Sequence, residues 1–242
     1  CPVVTAEQKP EVMEVICGKA REAGCSLTVA ALEGASHVRY GLEKQSFDYK
    51  GMKKLEITLA GQYQIDNAIL ALETLWRLKD GGFPVEEANL REGFAQAKWP
   101  GRFTVLGRKP YFIVDGAHNE DGARRLAESL ERYFPHRRII FIMGMLKDKE
   151  YGKVIALTHS LADQIITVTP PGNPRALSAY ELACEAAVAH RNVTAADSLE
   201  EAVEMSRLLA GKDDVIVAFG SLSYLGKLME TAGFGEKGKG RK

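Results

Sequence analysis

The sequence predicts an α/β protein whose carboxyl-terminal part is a doubly wound, mostly parallel sheet, preceded by a smaller α/β part with few strands. Two observations predict it. From Phe103 onward, short and almost wholly apolar strands alternate with amphipathic helices, the pattern of a parallel sheet covered on both faces. At 99–103, WPGRF sets Pro100 beside Gly101, and the chain changes character across this break. Residues 1–98 and 99–242 are therefore expected to be separate domains.

The elements follow in order. Residues 10–23 place Val12, Val15, Ile16 and Ala20 at helical spacing behind Pro10, a favoured first helical residue. SLTVAAL (26–32) reads as a strand. From 36 to 59 apolar and polar residues alternate around Lys50-Gly51, which predicts two short antiparallel strands. Ile65, Ile69, Leu72, Leu75 and Trp76 share one face of a helix that stops at Gly81-Gly82. PVEEANLREGFAQA (84–97) is a second helix, with Pro84 at its start and acids in its first turn. In the second part the predicted strands are FTVLG, YFIVD, RIIFIMG, QIITVT, NVT and DVIVAFG. Helices are expected over 120–133, 149–161, 178–189, 198–209 and 221–231.

Composition bounds the function. Lys plus Arg and Asp plus Glu are equal at 32 each, so no net field favours nucleic acid or an anionic membrane as partner. Cys1, Cys17, Cys25 and Cys184 lack metal-ligand spacing and suit reduced cytoplasmic thiols. No apolar run approaches the length of a membrane span. GFGEKGKG (233–240) satisfies a loose glycine-loop pattern, but no strand precedes it and Gly240 stands where a hydroxyl would be needed. It is expected to be part of a solvated tail, as is the basic EKGKGRK (236–242). The chain begins without Met, which suggests the interior of a longer protein.

Polar groups gather at the predicted strand ends. YFIVD runs directly into Asp115, Gly116, Ala117, His118 and Asn119, where Asp115 and His118 could reach a ligand and Asp115 or Asn119 could cap the next helix. GMLKDKEY (144–151) ends another strand with Lys147, Asp148 and Lys149, either a ligand loop or a solvated turn. AFGSLSYLGKL (218–228) carries Ser221 to a helix start whose free N–H groups can hold an anion; helix capping is the competing role. Gln64 and Asn67 lie one helical turn apart and should face the same side. Arg102 follows the Pro-Gly break.

Taken together, GQYQIDNAILALETL, WPGRFTVL, FIVDGAHNEDGARRL, GMLKDKEY, TPPGNPRALSAYELA and AFGSLSYLGKL resemble, in order and spacing, the carboxyl-terminal half of folylpolyglutamate synthase/dihydrofolate synthase, in the Mur ligase superfamily. DGAHN after an apolar strand, with Asp115 thirteen positions beyond the Arg102 of PGR, matches the folate branch, whereas Glu120 stands where that family usually has Pro. The resemblance implies a Rossmann-like glutamate-ligase domain over 99–242. Residues 1–98 would be the last part of a central ATPase domain whose P-loop half is not in this sequence. It further implies ATP-driven amide formation between L-glutamate and dihydropteroate or folate through an acyl phosphate. Asn67 would meet the adenine, Arg102 the phosphates and Asp115 the ribose. His118 would act catalytically and contact glutamate or nucleotide, and Ser221 would hold a glutamate carboxylate. Asn67, Arg102 and Asp115 are then expected to converge on one cleft.

Magnesium ligands would lie in the absent amino-terminal part, which is a possible partner, and this chain alone would not turn over. Two alternatives remain open: a non-catalytic α/β nucleotide-binding or interaction module, and a Mur-type ligase for another amino acid.

Overall fold

The computed structural model describes residues 1–233; the glycine-loop pattern from Phe234 on and the basic 236–242 tail lie outside them. The chain divides into two compact units, Cys1–Lys98 and, from Trp99, the remainder.

In the first unit β1 (Val3–Ala6) pairs in parallel with β2 (Leu27–Ala30), and α1 (Pro10–Glu22) connects them. β3 (Ser36–Arg39), β4 (Gln45–Tyr49) and β5 (Met52–Ile57) form an antiparallel sheet, followed by α2 (Gln64–Asp80) and α3 (Glu87–Gln96). The alternation along β4 sends Gln45, Phe47 and Tyr49 inward, where Phe47 and Tyr49 join Leu55, Ile57, Ile65, Ile69, Leu72 and Leu90 in one core. Each such apolar side chain, fully buried, contributes about 1.5–3 kcal/mol.

Three corrections to the expected elements arise here. The 36–59 segment makes three strands, not two. Val38 is the one aliphatic residue of β3, so the strand leaves no alternation to read, and His37 at φ 50 bulges it. Val3–Ala6 is a strand that its short unalternating run did not predict. The helix expected from Pro84 starts at Glu87.

A buried carboxylate ties this unit together. Glu73 of α2, 1% exposed, accepts hydrogen bonds from the Tyr49 hydroxyl at 2.8 Å and from Lys50 Nζ at 2.5 Å. The Tyr49 ring stacks on Trp76 at 6.0 Å, and Lys50 lies over both rings. A carboxylate withdrawn from water is tolerated only when paired in this way.

The second unit holds β6 (Thr104–Arg108), β7 (Tyr111–Val114), α4 (Glu120–Tyr133), β8 (Ile139–Met143), α5 (Tyr151–Thr158), β9 (Gln164–Thr167), α6 (Ala179–Ala189), β10 (Val193–Ala195), α7 (Leu199–Leu209), β11 (Val215–Phe219) and α8 (Leu222–Thr231). Its six-stranded sheet has the order β10-β9-β8-β11-β7-β6 and is parallel throughout except for β6, which runs antiparallel to β7 at the edge. All five residues of β8 and all five of β11 are buried, as a two-sided parallel strand requires. Phe112, Val114, Ile140 and Ile216 pack with Leu199, Val203, Tyr224 and Leu228 of α7 and α8. The alternate residues Ile113, Phe141 and Val217 are buried on the opposite face, and α4, α5 and α6 lie side by side. This is the doubly wound, mostly parallel α/β sheet that the sequence predicts.

From β7 the chain crosses to β8, leaving a place that β11 fills last. The carboxyl ends of β7, β11 and β8 are thereby neighbours at the point where the winding changes direction, the usual ligand position in such sheets.

Two outcomes are expected from the first unit. Burial, and then the hydrogen bond to Glu73, pushes the Tyr49 phenol up to about 12 from its ordinary value of 10. A raised pKa favours the neutral, folded form below pH 10, and that stabilisation disappears as pH climbs through 12. Alkaline denaturation followed by near-ultraviolet circular dichroism should show this limb, and Tyr49→Phe should flatten it. Separately, β1 and β2 pair only with each other among the described residues, whereas β8 and β11 are each flanked on both sides. Amides of Val3–Ala6 and Leu27–Ala30 should therefore exchange hydrogen faster than those of β8 and β11; uniform protection would contradict this.

Candidate functional site at the carboxyl edge of the second sheet

β7 ends where Asp115 donates its backbone N–H to Ala218 O at 2.9 Å. Its side chain, 3% exposed, turns back into the protein. Oδ1 accepts from Ala117 N–H and Oδ2 from Phe103 N–H, both at 2.8 Å. One carboxylate thus fixes two pieces of chain: the loop leaving β7 and the Pro-Gly turn that precedes β6. Phe103 has φ 42, a left-handed conformation that a bulky residue seldom adopts unless held. Its ring is buried, so the hydrogen bond and the burial of the ring both maintain that geometry.

The fixed turn presents Arg102. Its Nη1 lies 3.1 Å from where a Cβ on Gly116 would stand, and Leu222 Cδ2 lies only 2.5 Å from the same point. Gly116 is therefore the residue that lets the guanidinium and the first residue of α8 close over the strand end. Arg102 is half-buried, and its side chain makes no hydrogen bond or ion pair to any other described residue.

His118 follows. Its Nδ1 is 2.8 Å from Gly116 O, and since a carbonyl can only accept, Nδ1 carries the proton. In the neutral ring Nε2 is then an acceptor, on a half-buried side chain. Asn119 caps α4 by accepting from Gly122 N–H at 2.8 Å, so the capping role goes to Asn119 and leaves Asp115 to its loop.

β11 completes the edge. Gly220 has φ 115, donates to Ala117 O at 2.9 Å, and leaves no room for a side chain: a Cβ would sit 2.5 Å from Gly144 O. Gly144 in turn donates to Phe219 O at 3.1 Å. Ser221, 5% exposed, caps α8 and accepts from Ser223 N–H at 3.2 Å, with the two hydroxyl oxygens 2.9 Å apart. Arg102, Asp115, His118 and Ser221 thus belong to one connected edge of this unit.

The loop after β8 adds charge beside it. Lys147 N–H donates to Arg175 O at 2.8 Å, and Arg175 pairs with Asp148 at 3.0 Å. Both Lys147 and Asp148 are exposed.

Asn67 belongs to the first unit. It is exposed on α2, and its Nδ2 donates to Gln64 Oε1 at 3.0 Å, so the two amides do share a side of the helix. Sequence reasoning missed Gln45. This side chain is fully buried, and its Nε2 donates to Leu59 O at 2.7 Å and Gly61 O at 2.9 Å, shaping the loop that leads into α2. The signal was present: Gln45 has the same parity as Phe47 and Tyr49, which puts an amide on the core face.

Among the described residues, no group of three or more His, Cys, Asp and Glu is placed to hold a metal ion. No helix among them is long and apolar enough to cross a membrane.

A doubly wound unit that gathers Arg102, Asp115, His118 and Ser221 at the carboxyl edge of its parallel strands has the architecture of a ligand-binding α/β domain. Residues 101–222 match the Mur ligase family at its glutamate ligase domain, and the chain belongs to that family. It is 31% identical over 242 residues to the folylpolyglutamate synthase of Lacticaseibacillus casei, covering 95% of this chain and 54% of that protein. Against the dihydrofolate synthase/folylpolyglutamate synthase of Bacillus subtilis the identity is 28% over 230 residues, covering 93% and 53%. Mycobacterium tuberculosis folylpolyglutamate synthase, solved with ADP and AMPPCP, is similar at a TM-score of 0.85 and 26% identity over 96% of this chain and 55% of that one. The chain spans about half the length of the curated relatives it matches.

The Asp115 geometry makes a sharp expectation. Asp115→Asn replaces one acceptor oxygen with an N–H₂ that faces a backbone N–H, so one buried donor loses its partner. The loss should be about 1–3 kcal/mol in urea denaturation of the second unit. An unchanged midpoint would show that the carboxylate does not hold the loop.

Proposed function

We propose that this chain supplies the nucleotide- and glutamate-facing residues of an ATP-dependent ligase that joins L-glutamate to the carboxylate of dihydropteroate or a folate. The observation that carries this reading is the Arg102 guanidinium. It is half-buried against Gly116 with no protein partner among the described residues, at the strand edge of a glutamate ligase domain. An unpaired, oriented guanidinium beside a helix N-terminus is an anion receptor, and its planar fork matches phosphate oxygens. Solved relatives that carry ADP, including Escherichia coli FolC with DHPP and ADP at a TM-score of 0.77 and 25% identity, support the nucleotide half of the reading.

In this scheme an oxygen of the acid substrate attacks the γ-phosphorus of ATP and the bond to the β-phosphate oxygen breaks. ADP leaves, and an acyl phosphate remains. The amino nitrogen of L-glutamate then attacks the acyl carbon, and the carbon–oxygen bond to phosphate breaks, releasing inorganic phosphate and leaving an amide. Little covalent work falls to the protein; positioning and charge neutralisation dominate. Arg102 neutralises phosphate charge. Asp115, at the end of β7, accepts from ribose hydroxyls through its carboxylate. His118 Nε2 accepts from the glutamate amino group and orients it toward the acyl carbon. Ser221 and the first turn of α8 receive a glutamate carboxylate. Asn67 on α2 meets the adenine edge. Magnesium accompanies ATP in such transfers; among the described residues no group of three or more His, Cys, Asp and Glu is placed to hold it.

Calorimetric titration of the full chain with a non-hydrolysable ATP analogue tests this. The analogue should bind, and Arg102→Ala should weaken it at least about tenfold, the size of a lost charge-assisted hydrogen bond, without lowering the melting temperature. Equal affinity in the two proteins would defeat the reading.

A further inference from the structure

The thiols of the first unit are unevenly placed. Cys17 lies on α1, whereas Cys1 and Cys25 each stand two residues ahead of a strand, β1 and β2. These strands run in parallel with Val3 opposite Leu27, and Val3 N–H donates to Ser26 O at 2.8 Å, so the pairing reaches back past the first strand residues. Two steps along a strand return to the same face, and two steps back from Val3 and Leu27 set Cys1 beside Cys25. Adjacent strands lie about 4.8 Å apart, within the Cα separation of about 4.4–6.8 Å that a disulfide spans. The contact is direct: the Cys1 nitrogen is 3.6 Å from Cys25 Sγ.

Cys25 is also held in place. At the end of α1, Gly24 has φ 62 and donates to Arg21 O at 3.0 Å, while Cys25 N–H donates to Ala20 O at 2.8 Å. This paired closure of a helix end fixes the residue that follows the glycine. Ala20 is buried, so Cys25 is tied to the core through its own backbone, and its Sγ lies 3.5 Å from Ala23 O. Both thiols are free, Cys1 exposed and Cys25 partly so, within reach of a small solute. A turn of the Cys1 side chain about its Cα–Cβ bond is the motion that brings the two sulfurs together.

We propose that Cys1 and Cys25 form a reversible dithiol–disulfide site that, on oxidation, staples β1 to β2. The oxidant is a small-molecule disulfide. One cysteine thiolate attacks a sulfur of the reagent, the reagent's sulfur–sulfur bond breaks, and one reagent thiolate leaves. The other cysteine then attacks the protein sulfur of the mixed disulfide, forming the protein bond and releasing the second reagent thiolate. Two electrons pass from the protein to the reagent, and the two thiol protons end on the released thiolates or in solvent. Among the described residues β1 and β2 pair only with each other, and α2 packs against both. The link closes the chain around α1 and restrains the strand pair that supports α2. It uses no residue of the proposed ligase site, so it stands or falls separately from that reading.

The experiment incubates the reduced full chain, dilute and undenatured, with oxidised glutathione, then blocks remaining thiols, digests the protein and maps linked peptides by mass spectrometry. A Cys1–Cys25 peptide should appear, lighter by the two lost hydrogens, with neither Cys17 nor Cys184 in a linked peptide. Amide exchange of Val3–Ala6 and Leu27–Ala30 should slow by about tenfold or more on oxidation, and dithiothreitol should restore the original rates. Cys25→Ser should abolish both effects and Cys17→Ser should leave both.

A linkage through Cys17, or glutathione adducts alone on Cys1 and Cys25, overturns the pairing. A Cys1–Cys25 link that leaves exchange in both strands unchanged overturns the staple. Both measurements are made on the unaltered protein, so neither depends on how well a variant folds.

Discussion

The second unit depends on one carboxylate between two amides. Asp115 Oδ1 and Oδ2 hold the N–H groups of Ala117 and Phe103, and everything at the strand edge follows from that pair of 2.8 Å bonds. Ala117 is fixed, so its carbonyl can accept from Gly220 and align the loop after β11. Phe103 is fixed in a left-handed conformation, so Arg102 beside it is aimed over Gly116. A charged acceptor that is 3% exposed is costly to bury, and two backbone donors are what offset the cost. The same arrangement makes any ligand contact by Asp115 secondary to its structural role, because the loop must exist before anything can bind on it.

Close backbone approach is the other constraint. At Gly116 and Gly220 a single added carbon would stand 2.5 Å from Leu222 or from the Gly144 carbonyl. The two cases differ in kind. Leu222 is 44% exposed and its side-chain end can move, so the Gly116 contact is adjustable. The Gly144 carbonyl belongs to the backbone beyond a fully buried strand and cannot move without disturbing β8. Gly220 also sits at φ 115, outside the range that other residues occupy at low cost. Fixed backbone at the sheet edge, with exposed side-chain ends above it, is a suitable floor for the phosphate contact proposed for Arg102.

How far the sequence shows this depends on the residue. The parallel core was legible because β8 and β11 are buried on both faces, which leaves unbroken apolar runs, and because the helices between them carry a 3.6-residue period. β3 was not, since its one inward aliphatic, Val38, makes no pattern. Asp115, His118 and Ser221 stood out because polar residues at the ends of apolar strands need a reason. Their local roles could not be read. Whether Asp115 or Asn119 caps α4 is decided by a difference of a few ångströms in where each carboxyl or amide oxygen lies, and both residue types cap helices well. Gln45 was overlooked although its parity placed it among core residues; an amide on an apolar face is itself a signal, since a buried amide has to find partners.

The two amides on α2 show why local pattern and tertiary contact must be read together. Helical spacing alone puts Gln64 and Asn67 on one side, and it assigns neither orientation nor function. Burial distinguishes them: Gln64 is enclosed and Asn67 is exposed, so the first is constrained by the fold and the second is available. The Gln45 clamp on Gly61 then links the start of α2 to the sheet core, where Phe47 and Tyr49 anchor β4. An exposed hydrogen-bonding group that is oriented from beneath by a buried one loses little freedom on meeting its ligand.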